Sequence, residues 1–142
     1  MNNSQGGLRI HASRGNKKVK PFLFKFVKWL RKEYSFPHRV NVYLSPNPYI
    51  ISRLTGERCV STTWIPGDLE LHDPYIRLAT GNYPILLKKV DKNSARANIL
   101  HALASALTSY WQWIETGDMD EKGMSRKATA ILRKYERVVK YF

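Results

Sequence analysis

His101, Ser105 and Ser109 follow one another at intervals of four residues, which stacks them on one face of a helix, with Ala102 and Ala106 alongside. Two uses suit such a face. Histidines four residues apart can clasp a metal ion, with a glutamate directly after the first acting on a bound water and a third ligand arriving from a following helix. A row of small, weakly polar side chains instead lets another element pack closely, with no chemistry at all. Here the positions that would carry the first arrangement are Ser105, Ala106 and Ser109. A neutral hydroxyl is a poor zinc ligand beside imidazole or carboxylate, and alanine cannot move a proton. Other candidates are sparse. His101 could recruit a metal with His72 or Asp73, although a single His beside small residues more often makes a core hydrogen bond. His72-Asp73 before Pro74 reads as a surface turn. Cys59 is the sole cysteine, so it closes no internal disulfide; beside Val60 in a strand-like run it is expected as a plain buried thiol.

The stretch that positions these residues runs from Ser94 to Thr116. Between Arg96 and Glu115 it has no charged side chain, in a chain that is 25% charged, and Gly117 closes it. That predicts a long central core helix, capped by Asn93 or Ser94. Asn98, His101 and Gln112 make it too polar to span a membrane. Upstream, Pro21 to Tyr34 has Phe22, Phe26, Trp29 and Leu30 at helical spacing and lysines opposite, an amphipathic helix expected to dock on a sheet rather than a membrane. Arg39 to Leu44, Cys59 to Ile65 and Tyr75 to Ala79 read as strands, while Tyr49 to Leu54 is a short apolar run of open type. Asn82 to Val90 is a short helix or turn. After an acidic loop, Asp118 to Glu121, a last helix from Met124 to Tyr141 turns Ala128, Ile131, Leu132 and Tyr135 inward and a basic stripe outward. The order implies an α+β fold: an N-terminal helix, a small mixed sheet of three or more strands, a long central helix and a C-terminal helix. Residues 1–20, polar and basic with Gly6, Gly7 and Gly15, are expected as a flexible arm before a single domain over residues 21–142.

The formal net charge of +13 favours attraction to nucleic acid, an anionic membrane or an acidic partner. Neither a metal-finger spacing nor a Gly-rich phosphate loop accompanies it. No N-terminal apolar run resembles a signal peptide, and a cytoplasmic location is expected.

The run Ser105-Ala-Leu-Thr-Ser109-Tyr-Trp-Gln-Trp resembles the H-E-L-T-H-Y-x-Q-W active-site helix of small bacterial zincins, compact zinc metallopeptidases of the gluzincin type, similar to minigluzincins and SprT-like proteins. Upstream, Tyr75-Ile-Arg-Leu-Ala-Thr-Gly81 and Tyr83-Pro-Ile-Leu look like the edge strand and connector before that helix. Downstream, Gly123-Met-Ser125-Arg-Lys-Ala128 resembles the E-x-x-A start of the helix that supplies the carboxylate ligand. The resemblance implies former metal-ligand positions at Ser105, Ser109 and Ser125 and a former general-base position at Ala106. It also implies a substrate-binding edge strand over Tyr75, Ile76, Arg77, Leu78 and Ala79. Zn²⁺ belongs to the parent family, and none is expected on the chain as written, since all three ligands and the base are replaced. The expectation is a zincin-fold pseudoenzyme, or an inactivated variant of a zinc-dependent peptidase, without hydrolase activity. Its emptied cleft could still hold a peptide or protein segment by strand addition. Ser and Ala in place of larger ligands should leave a void that water fills. The alternative is a basic nucleic-acid-binding module; a membrane partner is not expected.

Overall fold

The computed structural model of the chain describes residues 7–53, 55–68, 71–118 and 123–142. Four helices and six strands follow in the order β1 (Leu8–His11), α1 (Lys20–Glu33), β2 (Val40–Ser45), β3 (Ile50–Ile51), β4 (Arg58–Cys59), β5 (Ser61–Trp64), β6 (Tyr75–Ala79), α2 (Tyr83–Leu87), α3 (Lys92–Thr116) and α4 (Met124–Val139). The main sheet has the order β1-β2-β6-β5. β1, β2 and β6 run parallel, and β5 closes one edge antiparallel to β6. β3 and β4 form a separate two-stranded hairpin. The fold is thus α+β, with a small mixed sheet and a long central helix.

Alternation decides which face of the sheet is covered. Leu8, Val40, Val42, Leu44, Ile76 and Leu78 point to one side and are buried against α1 and α3. Arg9, His11, Asn41, Tyr43, Tyr75 and Arg77 occupy the intervening positions and face the other way. The helices therefore form a single layer on one face. No described helix is long and apolar enough to cross a membrane.

Three expectations are corrected by this topology. Leu8–His11 is not part of a flexible arm but an edge strand paired with β2 in register Leu8↔Val40. Arg31 clamps it by donating from Nε and Nη2 to the Leu8 carbonyl at 2.9 and 2.7 Å, and Val19 is fully buried. Four alternating residues among glycines and cations give little signal alone; a parallel partner 32 positions later, Val40, makes them a strand. Residues 1–6 lie outside the described residues. Second, Tyr75–Ala79 is not an edge strand. β6 pairs with β2 on one side and β5 on the other, and the edge belongs to Ser61–Trp64. Ile76, Leu78 and Ala79 are accordingly buried. Cys59 to Ile65, expected as one strand, is divided between β4 and β5 at Val60. The Cys59 thiol is half-buried and donates to the Ile50 carbonyl at 3.3 Å; burial pushes its pKa up, against the pull of Arg77.

One aromatic hydroxyl ties the chain entering β2 to the central helix. Tyr110 is fully buried; its hydroxyl donates to the His38 carbonyl and accepts from the His38 N–H. Burial pushes its pKa from 10.0 to about 12. A phenol that resists ionisation in the fold contributes stability in full below its unfolded pKa and loses it as pH climbs through the folded one. Tyr110→Phe is therefore expected to cost about 1–3 kcal/mol at neutral pH in urea unfolding. The gap between variant and wild type should narrow as pH rises from 10 towards 12.

Candidate functional site

α3 is a 25-residue helix, and its ends are specified locally. Asp91, not Asn93 or Ser94, is the N-cap: its carboxylate accepts from the Ser94 N–H at 3.0 Å and the Ser94 hydroxyl at 2.6 Å. Those bonds hold its pKa below the usual carboxylate value. Gly117, at φ 77°, adopts the left-handed conformation that ends the helix and returns its N–H to the Trp113 carbonyl. Between these stops the helix has α1, the sheet and α4 as neighbours.

On the sheet side, β5 lies directly against α3. Ser61 Oγ donates to the Ala102 carbonyl and Thr63 Oγ1 to the Ala106 carbonyl, each at 2.8 Å. Ala102 and Ala106 are both buried. Their methyl groups are what lets a strand come near enough for its side-chain hydroxyls to reach helix carbonyls. The ladder fixes the other direction. Val60 O accepts from Ala79 N at 2.9 Å, and Thr62 faces Arg77 two positions on. Alternation of an antiparallel ladder then turns the main-chain N–H and C=O of Ser61 and Thr63 towards the outer edge. Among the described residues β5 has no second strand partner.

On the other side, the row His101-Ser105-Ser109 faces the first turns of α4. His101 Nε2 lies 3.2 Å from the Ser125 carbonyl and 3.3 Å from Thr129 Oγ1. A carbonyl only accepts, so that bond puts the ring proton on Nε2 and leaves Nδ1 as acceptor for the Ser105 hydroxyl, 3.5 Å away. Ser109 Oγ meets the Met124 sulfur. The two helices run antiparallel, with 101 meeting 125 and 129, and 109 meeting 124. Ser109 is buried, Ser105 half-buried and Ser125 exposed.

Between the helices, His101 and the Met124 side chain stand at the level of this row. The cavity that Ser125 does line, about 820 Å³, is an open groove on the outer side of α4, walled by Arg126, Arg133, Lys134 and Arg137. This donor set does not fit zinc. Hydroxyls at 105, 109 and 125 and a methyl at 106 offer neither the anionic or imidazole ligands nor the base that a catalytic site needs.

Sequence reasoning placed 105, 106, 109 and 125 on the correct helices but missed Ser61 and Thr63, which anchor the edge. Their signal was present, since S-T-T-W alternates before Pro66. His72 is exposed in a turn, its N–H bonded to the Asp68 carbonyl at 3.1 Å, and Asp73 pairs with His38 at 3.5 Å, so neither approaches His101 as a co-ligand. Asp120 and Glu121 of the acidic loop lie outside the described residues. Comparison with protein-family models, curated proteins and solved structures returned no match.

The closeness of β5 to α3 is open to direct measurement. Ala106→Leu should push strand and helix apart and cost about 1–3 kcal/mol in chemical denaturation. Ala130→Leu, on the exposed side of α4, should stay within about 0.5 kcal/mol of wild type.

Proposed function

We propose that the chain is a zincin-like scaffold without metal chemistry, and that it holds an extended peptide along the free edge of β5. The observation that carries this reading is the seating of an antiparallel edge strand on the central helix, through Ser61 to Ala102 and Thr63 to Ala106. That strand runs over the helix whose sequence resembles a zinc-peptidase active site. A peptide adding to this edge would exchange main-chain hydrogen bonds with Ser61 and Thr63, and its alternate side chains would fall towards α3. The chain then binds without cutting. Ala106 has no proton to give or take, and Ser105 bonds His101 at 3.5 Å, a serine–histidine contact within one helix face rather than a metal-bound water and its base. The basic groove on α4 and the open face of the sheet lie outside this reading.

The scaffold half of the proposal is tested by restoring the missing groups. Ser105→His, Ala106→Glu, Ser109→His and Ser125→Glu introduced together should confer one tightly held zinc per chain, read by elemental analysis after dialysis. Substituted cobalt should give the visible absorption of a tetrahedral ion, and the unaltered chain should give none. Because Ala106 and Met124 are packed, a second set retains Ala106 and adds Met124→Ala to make room. A folded protein of either set that takes up no metal rejects the reading.

A further inference from the structure

The face of the sheet turned away from the helices carries no second layer of helices, and its composition is unusual for a solvated surface. The strand registers assemble it into two rows. Arg9, Asn41, Tyr75 and Trp64 form one, and His11, Tyr43, Arg77 and Thr62 form the next. Its rings form a connected series. His11 stacks on Tyr43 at 4.5 Å with planes 15° apart, Tyr43 meets Tyr75 edge-on at 6.0 Å, and Tyr75 meets Trp64 at 5.0 Å. Tyr43 is 44% exposed and Trp64 39%, so these rings are not covered as a core would be.

Arg77 stands at the middle of this surface, between two cavities of about 320 Å³ each. One is walled by His11, Tyr43 and Arg14. The other is walled by Trp64, Tyr75 and, from the β3–β4 hairpin, Ile51 and Arg53. Each thus combines exposed rings with a guanidinium, and the two share Arg77. None of the four strands contains an acidic residue. The nearest carboxylate before β6, Asp73, is turned to His38 at 3.5 Å.

We propose that this open face is a binding platform for single-stranded nucleic acid, with unpaired bases lying in the two cavities against Tyr43 and against Trp64 and Tyr75, and the phosphate between them on Arg77. The chemistry on the page selects this occupant. A folded acidic protein would match the cations but has no use for a row of exposed rings, and a duplex hides the flat faces of its bases. Unstacked bases on a polyanionic backbone match both features. The span is suitable: from β1 to β5 is three strand spacings, about 14 Å, room for two or three nucleotides. The basic stripe of α4, another cationic surface, has Arg126, Arg133 and Arg137 but no ring among the groove's lining residues, and offers a charged groove. The platform lies on the opposite side of the sheet from α3 and does not depend on the peptide-edge reading.

The test is fluorescence anisotropy of the full chain with labelled ten-nucleotide oligo(dT), oligo(rU) and a mixed-sequence duplex, at low salt and across a salt series. Binding to either single strand is expected, tighter than to the duplex and weakening as salt rises. Tyr43→Ala and Trp64→Ala should each weaken it roughly tenfold, in line with the loss of one stacked base. Arg77→Gln should weaken it and flatten the salt dependence. Arg133→Ala with Arg137→Ala, on α4, should leave the preference for single strands intact. Circular dichroism and melting temperature of each variant establish that the fold is kept, and Tyr43→Phe, which keeps a flat ring, should restore most of the affinity lost in Tyr43→Ala. The proposal is overturned if neither single strand binds at low salt. It is equally overturned if duplex binds as well and folded Tyr43→Ala and Trp64→Ala proteins bind like wild type, since the attraction is then charge alone.

Discussion

Two hydroxyl-to-carbonyl bonds, from Ser61 and Thr63 of β5 to Ala102 and Ala106 of α3, set the distance on which the rest of the molecule depends. A strand can approach a helix that closely only where the helix presents methyl groups, and Ala102 and Ala106 are the residues that do so. Once β5 is held there, β6 is enclosed between it and β2, and Ile76 and Leu78 become core. The outer edge of β5 is then left with main-chain groups that another chain can pair. Packing, topology and the proposed peptide edge follow from one small-residue face. The adjoining row of the same helix carries His101, Ser105 and Ser109 and meets a different partner, α4. A single stretch of sequence therefore serves two contacts of unlike character.

Much of this was legible in the residues. The uncharged run to Gly117 announced α3, and its glycine stop is a left-handed residue as expected. Ala128, Ile131, Leu132 and Tyr135 face inward on α4 as their spacing requires. What sequence could not provide was pairing. β1 is too short to be read alone, because a parallel edge strand draws its stability from a neighbour remote in the chain. β6 was taken for an edge on the resemblance alone, whereas neither that nor order along the chain gives order across a mixed sheet. The antiparallel turnback of β5 puts it outside β6 although it comes earlier. The N-cap was misplaced by two or three residues for a local reason: Asp91, Asn93 and Ser94 can all cap, and Asp91 gains both the N–H and the hydroxyl of Ser94.

The charge of +13 also divides differently in space than in sequence. Read along the chain, the cations collect in the N-terminal residues and on α4. Folding carries Arg9 and Arg14 to the uncovered sheet face, where they join Arg77 from a strand that drew notice for other reasons. The rings of Tyr43, Tyr75 and Trp64 come from three separate strands and form a surface only after register is set. Aromatic residues at alternate strand positions are read from sequence as core. Here they are the side turned away from it, because a sheet with helices on one face alone leaves every second residue uncovered.

On the zincin-like reading proposed above, the contact between α3 and α4 accounts for a fold that does without an ion at this junction. Imidazoles and a carboxylate held between helices without a metal would be buried polar groups in want of partners, each a cost of a few kcal/mol. Serine and alanine remove that cost but create space, and unfilled space is itself destabilising. The structure meets the second difficulty with two side chains already at hand. Met124, unbranched and adaptable, brings its thioether to Ser109, while His101 bridges to the Ser125 carbonyl and Thr129. His101 and Ser109 thus find partners on the next helix, and Ser105 finds its partner in His101. On the readings proposed above, a junction held this way needs no metal, and recognition falls to the edge and the open face of the sheet.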